Sequence, residues 1–510
     1  MKLADKAILN ILAKSSEAFW LMISSIVMVR YFPKAEYGTF LQIILIADTM
    51  QMFTFLGLPQ SIYYFFPRAL DRGRFVIRNV VLSLCIGFLA AMLVYNFRYV
   101  VAGWLSNPLL AEYGWVAALL LFFRAPSALR GPMLISYGSL IFNSVATLLC
   151  STVFFVPLIV ASLFSVSLGT LLRVMLISSG VELTIYLCSA LWIAFHTSGK
   201  ASSPSDSSAD ASRTEVSFKD QLLYALPIGL SSYLGILGRQ IDRYIISIFF
   251  SPADFAVYSR GAMKIPVLST IQMTINNIMT PQYVSAYKEG DIKTFLSIFH
   301  RCNEKVVKIN FPVFALFWAV APSLIGFLYT EAYIEAASIF RVYLCLLLIK
   351  ITSYSITFRA SGKTVYGMYA TAFYITCNVI LSISLVPIFG PIGAAVGTII
   401  SEVMLGLFYL TWSCKILGVS FREIFPWMLD FQILSISLLA SIPVYGLEYL
   451  VHVPGVYVPF MLMAEGLVFC YCWIFLAMRK RLIDQEELEL LQRWLRFDVS
   501  KMLRKITFLS

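Results

Sequence analysis

Apolar runs of about twenty residues, each long enough to cross a hydrocarbon layer about 30 Å thick, recur along the whole chain between short polar turns. They fall near residues 8–32, 38–66, 76–97, 114–135, 138–163, 168–195, 221–250, 255–285, 306–329, 335–358, 365–387, 391–414, 429–451 and 456–478. The pattern predicts an all-α polytopic membrane protein with about 14 transmembrane helices. Between the sixth and seventh runs, residues 197–218 are rich in Ser, Ala, Asp and Pro and have almost nothing to bury. A flexible cytoplasmic linker is expected there. The expected division is an N-terminal lobe 1–196, the linker 197–218, a C-terminal lobe 219–414, two further helices in 415–478 and a tail 479–510. Leucines and a tryptophan recur at helical spacing among the tail's mixed charges, which predicts an amphipathic helix on the inner leaflet or a partner-binding helix.

Composition agrees: 59% of residues are hydrophobic and 13% charged, far from the balance of a soluble globular chain. The formal charge of +11 does not point to nucleic acid, because the basic residues collect in alternate short loops. Arg68, Arg72, Arg74 and Arg78 fall on one side, with Lys288, Lys293, Arg301, Lys305, Arg359 and Lys363, and the opposite loops hold little beyond Lys34 and Arg98. The positive-inside rule then places both termini in the cytoplasm. The opening MKLADKAILNILAK has the basic start of a signal peptide, but Lys14 and Glu17 interrupt any apolar core, so a first membrane helix is expected. The nine cysteines lie almost entirely inside apolar runs without a CxxC, and the three histidines are far apart. No metal site and no cofactor are expected.

The two halves resemble each other at an offset of about 218 residues. PKAEYGTF at 33–40 matches SPADFAVY at 251–258 position by position, each in the tight outer loop between the first two helices of its half. The turn LDRGR at 70–74 faces YKEGD at 287–291, and Glu182 and Trp192 recur as Glu402 and Trp412. Both halves start on the same side, so the expected arrangement is two six-helix lobes related by a parallel pseudo-two-fold repeat, with two C-terminal helices added and the substrate path between the lobes.

Charges within the spans are the candidate chemistry. Arg239, Asp242 and Arg243 stand at i, i+3 and i+4 and would share one helix face. Arg243 either faces an aqueous interior with them or anchors the helix at the far interface. Lys14 and Glu17 share a face of the first helix, either in the cavity or as a structural salt link, and Arg260 and Lys264 share a face of the eighth. Cationic members outnumber anionic ones, which suits an anionic ligand. Arg239, Arg260, Lys264, Lys14 and Arg243 are the substrate-binding candidates. Glu17, Asp48 and Asp242 are the candidates for proton or ion coupling. Coupling need not exist, since an anion leaving a negative-inside cell gains about 2.3 kcal/mol per charge per 100 mV. The repeat-related Glu182 and Glu402 are expected to serve packing within each lobe.

GRQIDRYIISIFFSPADFAVYSRGAMKIP at 238–266 and GPIGAAVGTIISEV at 390–403 resemble the polysaccharide transporters, the Wzx-type oligosaccharide flippases of the multidrug/oligosaccharidyl-lipid/polysaccharide exporter superfamily. The resemblance implies a monomer in the bacterial cytoplasmic membrane that flips lipid-linked oligosaccharide by alternating access. Its partners would be that substrate, membrane lipids and other polysaccharide-assembly proteins. It also implies a lipid-tail groove formed by the last two helices. A drug exporter of the same superfamily would share the fold, but a cation exporter calls for an acidic cavity. A membrane polymerase or ligase would carry a long outer loop with catalytic residues, whereas the longest outer segment, 97–113, carries only Arg98 and Glu112.

Overall fold

A computed structural model of the chain describes residues 3–55, 57–198, 216–263, 265–363, 365–450 and 455–482. Lys264, residues 199–215 of the expected linker and residues 483–510 of the expected amphipathic tail lie outside the described residues. Among the described residues the chain is helical without strands. Ten helices are long and apolar enough to cross a membrane, and twelve if two bent pairs each count as one span. The protein is a multi-pass membrane protein.

The chain forms two compact units, Met1–Tyr258 and Ser259–Ser510. The first contains α1 (Leu3–Tyr31), α2 (Lys34–Phe55), α3 (Leu58–Phe65), α4 (Arg72–Asn96), α5 (Arg98–Trp104), α6 (Leu109–Glu112), α7 (Gly114–Ser127), α8 (Arg130–Ser136), α9 (Leu140–Leu163), α10 (Leu168–Ser198), α11 (Phe218–Leu237) and α12 (Ile241–Phe249), and α13 (Pro252–Gly261) runs across the boundary. Here α1 packs along α9, and α4, α7 and α10 pack on one another. The second unit contains α14 (Pro266–Lys288), α15 (Ile292–Ala319), α16 (Ala321–Tyr329), α17 (Ala336–Leu344), α18 (Leu346–Ile349), α19 (Ile356–Ala360), α20 (Val365–Phe389), α21 (Pro391–Leu417), α22 (Trp427–Leu450) and α23 (Val458–Arg479). In it α20 packs along α21, and α22 lies against both α15 and α23.

The closest helix pair of the second unit follows from small residues. On α21 a Cβ at Gly393 would lie 2.3 Å from the Leu385 carbonyl oxygen, and one at Gly397 would lie 2.7 Å from the Ser382 hydroxyl. This Gly-x-x-x-Gly spacing lets two membrane helices touch backbone to backbone. Buried Asn378 of α20 accepts across the contact from the Thr398 hydroxyl of α21 at 3.4 Å. The repeat-related turns act as helix starts, Asp71 accepting from the Arg74 N–H at 2.8 Å and Asp291 from the Thr294 N–H at 2.9 Å. Each occupies the N-cap, where a short acceptor satisfies an orphan donor.

The chain breaks its membrane helices where hydropathy alone foresees none. The seventh expected span bends by 52° between α11 and α12, and the ninth by 74° between α15 and α16. The eighth divides into α13 and α14 just before Pro266, whose ring disfavours helical backbone at the preceding residue. The tenth is interrupted over residues 350–355, Lys-Ile-Thr-Ser-Tyr-Ser, a run of β-branched residues and serines that hold helix poorly. The expectation of uninterrupted helices over 255–285 and 335–358 is therefore corrected to broken ones. The first half breaks more briefly: at Gly57, with φ +78° and the Ala225 carbonyl against it, and at residues 128–129.

Two polar hubs fasten the segment 216–249 to the first half. Gln221 donates to Ser61 Oγ at 3.0 Å and to Asn79 Oδ1 at 2.7 Å, and accepts from Arg78 at 3.0 Å. At the other end of α11–α12, Gln42 donates to Ser247 Oγ at 2.7 Å and to the Leu105 carbonyl at 3.2 Å, and accepts from Asn107 at 2.6 Å. The sequence repeat begins after the linker, yet α11 and α12 pack with the first half. Repeat boundary and compact-unit boundary do not coincide.

Candidate functional site

The expected constellation in the seventh span is dispersed by the break at Gly238-Arg239-Gln240. Arg239 is exposed in the turn, while Asp242 is buried in the first turn of α12. The Tyr258 hydroxyl donates to Asp242 at 3.0 Å, and Arg243 donates to Gln240 Oε1 at 3.3 Å. The expectation that all three share a face of one continuous helix is overturned, because the glycine turn rotates Arg239 out of the ladder. Lys14 and Glu17 are both exposed on α1, and no ion pair joins them. Arg260 stacks near the Tyr329 ring, 5.8 Å from its centre. Asp48 on α2 pairs with Arg124 on α7 at 3.0 Å, and Gln51 braces that arginine by donating to its carbonyl at 3.1 Å. The structure thus joins the coupling candidate Asp48 to a cation.

It gathers instead a set that includes one residue flagged by the repeat. In the second unit the unwound stretch 350–355 opens a cavity of about 420 Å³, lined among others by Gln272, Lys350, Tyr354, Arg359, Glu402 and Tyr409. Irregular backbone inside a membrane must have its polar groups satisfied by protein or by a wet cavity. Both occur here. The Lys350 carbonyl accepts from Gln272 at 2.9 Å and from Asn310 at 3.1 Å, and the side chains turn into the cavity. Lys350 Nζ meets Glu402 on α21 at 2.8 Å, and Arg359 reaches Ser353 Oγ at 3.0 Å. With one carboxylate set against two cations, the cavity is net positive. A planar guanidinium beside hydroxyls and amides can take a phosphate or pyrophosphate oxygen pair.

The first unit holds the counterpart. Arg130, at the start of α8 just after the break at 128–129, lies 3.8 Å from Glu182 on α10. Arg130 and Lys350 stand the same 220 residues apart as Glu182 and Glu402. Each repeat therefore sets one acid of its sixth helix against one base at the discontinuity of its fourth. Sequence reasoning found the two acids and counted Lys350 among the charges within the spans, but it read Arg130 as a loop cation and paired neither acid with its base. The common offset was the signal that identifies them.

The sequence profile of a family described as polysaccharide biosynthesis protein matches residues 27–338. No curated protein sequence matches the chain. Among solved structures the fold is similar to that of the lipid II flippase MurJ in an inward closed conformation, with a TM-score of 0.64 at 14% identity over 92% of this chain and 99% of that one. It is also similar to an inward-facing multidrug resistance MATE family transporter of the MOP superfamily, with a TM-score of 0.59 at 15% identity over 81% and 98% of the two chains. A third is a MOP superfamily transporter from Pyrococcus furiosus, described as having a binding pocket of reverse polarity, with a TM-score of 0.52 at 16% identity over 81% and 94%.

Proposed function

Because the chain belongs to the polysaccharide biosynthesis protein family, we propose that it is a flippase carrying polyprenyl-pyrophosphate-linked oligosaccharide across the cytoplasmic membrane by alternating access, for surface polysaccharide assembly. The observation that carries this reading is the net positive cavity at Lys350, Arg359 and Glu402. Its charge suits the pyrophosphate that joins lipid to sugar, and its polar lining suits the sugar. Arg239, Arg260 and Arg243 remain proposed as further contacts along the path. A drug exporter of the same fold would carry cations and calls for the opposite charge balance. The outer loops support the cycle: a Cβ at Gly38 would lie 1.7 Å from the Pro252 carbonyl oxygen, so the two repeat-related loops touch in this conformation and must part in another.

The test is surface polysaccharide in cells whose own copy is deleted. Arg359→Ala should lower it about tenfold or more, since a hydrogen bond to a charged group contributes about 1.5–3 kcal/mol, with protein still accumulating in the membrane. Arg359→Lys should rescue partly, keeping charge and losing the fork. Full export by Arg359→Ala would remove the cavity from the mechanism. Orientation is checked separately. A cysteine at Ser106 in a cysteine-less background should react with an impermeant thiol reagent from outside, and one at Ser205 should not.

A further inference from the structure

Away from the cavity, the last two membrane helices bring two acids together. Glu465, in the second turn of α23, is 0% exposed, and neither of its carboxyl oxygens has a hydrogen-bond partner. Glu448, in the last turn of α22, places its carboxyl within hydrogen-bonding reach of Glu465. The Ser323 hydroxyl on α16 donates to Glu448 Oε1, and Glu448 Oε2 is buried without a partner. Neither glutamate forms an ion pair with a described lysine or arginine. The charged and titratable groups on the neighbouring elements are otherwise engaged. Arg341 on α17 donates from Nε to the Trp318 carbonyl at 3.0 Å, with Tyr445 of α22 beside it. Glu331 folds against Gly326 of α16, and the last charge on α15, Lys308, pairs with Glu304 at 2.7 Å.

Two carboxylates facing each other in an enclosed site without a cation cannot both stay ionised. One proton resolves the arrangement, because a protonated carboxyl becomes a donor and the facing carboxylate its acceptor. A hard metal cation takes six or more oxygens, more than Glu448, Glu465 and Ser323 supply, and no cluster of three metal-ligating side chains occurs among the described residues. We propose that the Glu448–Glu465 pair is a proton-binding site in which one shared proton ties α22 to α23 and, through Ser323, to α16. Loss of that proton sets two negative charges face to face and drives the two helices apart. The site lies outside the cavity of the proposed flippase, and its occupancy is measured without any substrate, so it stands or falls independently of that reading.

The experiment uses the purified full-length protein in sodium-free lipid nanodiscs, titrated upward in pH. The wild type should show an infrared carbonyl band of a protonated carboxyl that persists at neutral pH and disappears on alkaline titration. Glu465→Gln and Glu448→Gln should each remove it, since the amide donates to the remaining carboxylate in the proton's place. The melting temperature should fall through the same pH interval in the wild type and stay flat in Glu448→Gln/Glu465→Gln. Because Gln mimics the protonated form in size and hydrogen bonding, these variants should fold, and either single variant suffices if the other does not accumulate. Absence of the band in the wild type, its survival in the variants, or stabilisation by added sodium at fixed pH in its place would each overturn the proposal.

Discussion

In the first repeat the base of the pair Arg130–Glu182 is enclosed, its side chain 10% exposed against 24% for the acid, and its guanidinium also lies against the Cys150 sulfur. In the second the exposures are reversed: Lys350–Glu402 borders a cavity, with the lysine side chain 39% exposed and the glutamate 12%. The acids and bases correspond, and the backbone around them does not: two residues are unwound at 128–129 and six at 350–355. A short break leaves the fourth helix a single span over Gly114–Ser136. A long one moves backbone out of the helix axis and opens a cavity of about 420 Å³. The charge pair is a property of the repeat, and the site is a property of the loop length.

That contrast gives different outcomes for equivalent substitutions. The largest is expected in the first pair. Glu182→Ala leaves the Arg130 guanidinium, its side chain 10% exposed, without its anion in an enclosed setting, where breaking such a pair costs about 3 kcal/mol or more. Accumulation in the membrane and melting temperature should both drop. An unchanged melting temperature would mean that the first pair is as wet as the second. Glu402→Ala leaves a lysine whose side chain is 39% exposed and should do the reverse, sparing accumulation and lowering surface polysaccharide. Next in size, Ser353→Ala with Ser355→Ala favours continued helix across 350–355, narrows the cavity and should lower export a few-fold at constant protein level. Glu402→Gln should change stability by under about 1 kcal/mol, as the lysine it leaves is 39% exposed and solvent takes the place of a partly exposed partner. Glu182→Gln should cost measurably more. The smallest effect belongs to the paired helix starts. The Thr294 hydroxyl and N–H hold the Asp291 carboxyl below its usual range, so its contribution is present above the unfolded-state value and is lost as pH falls through the lower folded-state value. Asp291→Asn should blunt that acid-side loss in a pH series of melting curves and leave neutral-pH export unchanged.

Much of this was legible in the chain and some was not, for reasons that lie in how membranes average sequence. The spans, the repeat and the family follow from signals spread over many residues, so a few irregular positions do not erase them. The Gly-x-x-x-Gly contact of α21 was visible as part of the stretch that carried the family resemblance. The helix breaks were hidden because Ile351 and Tyr354 keep the window apolar while the backbone unwinds around them. Arg239 misled for the same reason: a continuous helix puts it on a face with Asp242, and Gly238 takes it off. The Glu448–Glu465 pair escaped because the two residues sit on different helices, 17 positions apart, and only the α22–α23 packing brings them together.

The hub around Gln42 is made wholly of amides, hydroxyls and carbonyls, joining Gln42, Asn107 and Ser247 with Ser106 donating to the Ile248 carbonyl at 2.9 Å. Nothing in that set carries a formal charge, so its strength does not follow the ionic strength that screens charged contacts. Each bond also contributes only about 0.5–1.5 kcal/mol net, because water takes its place when it parts. A joint of this kind opens at nearly the same cost in dilute and in brackish surroundings.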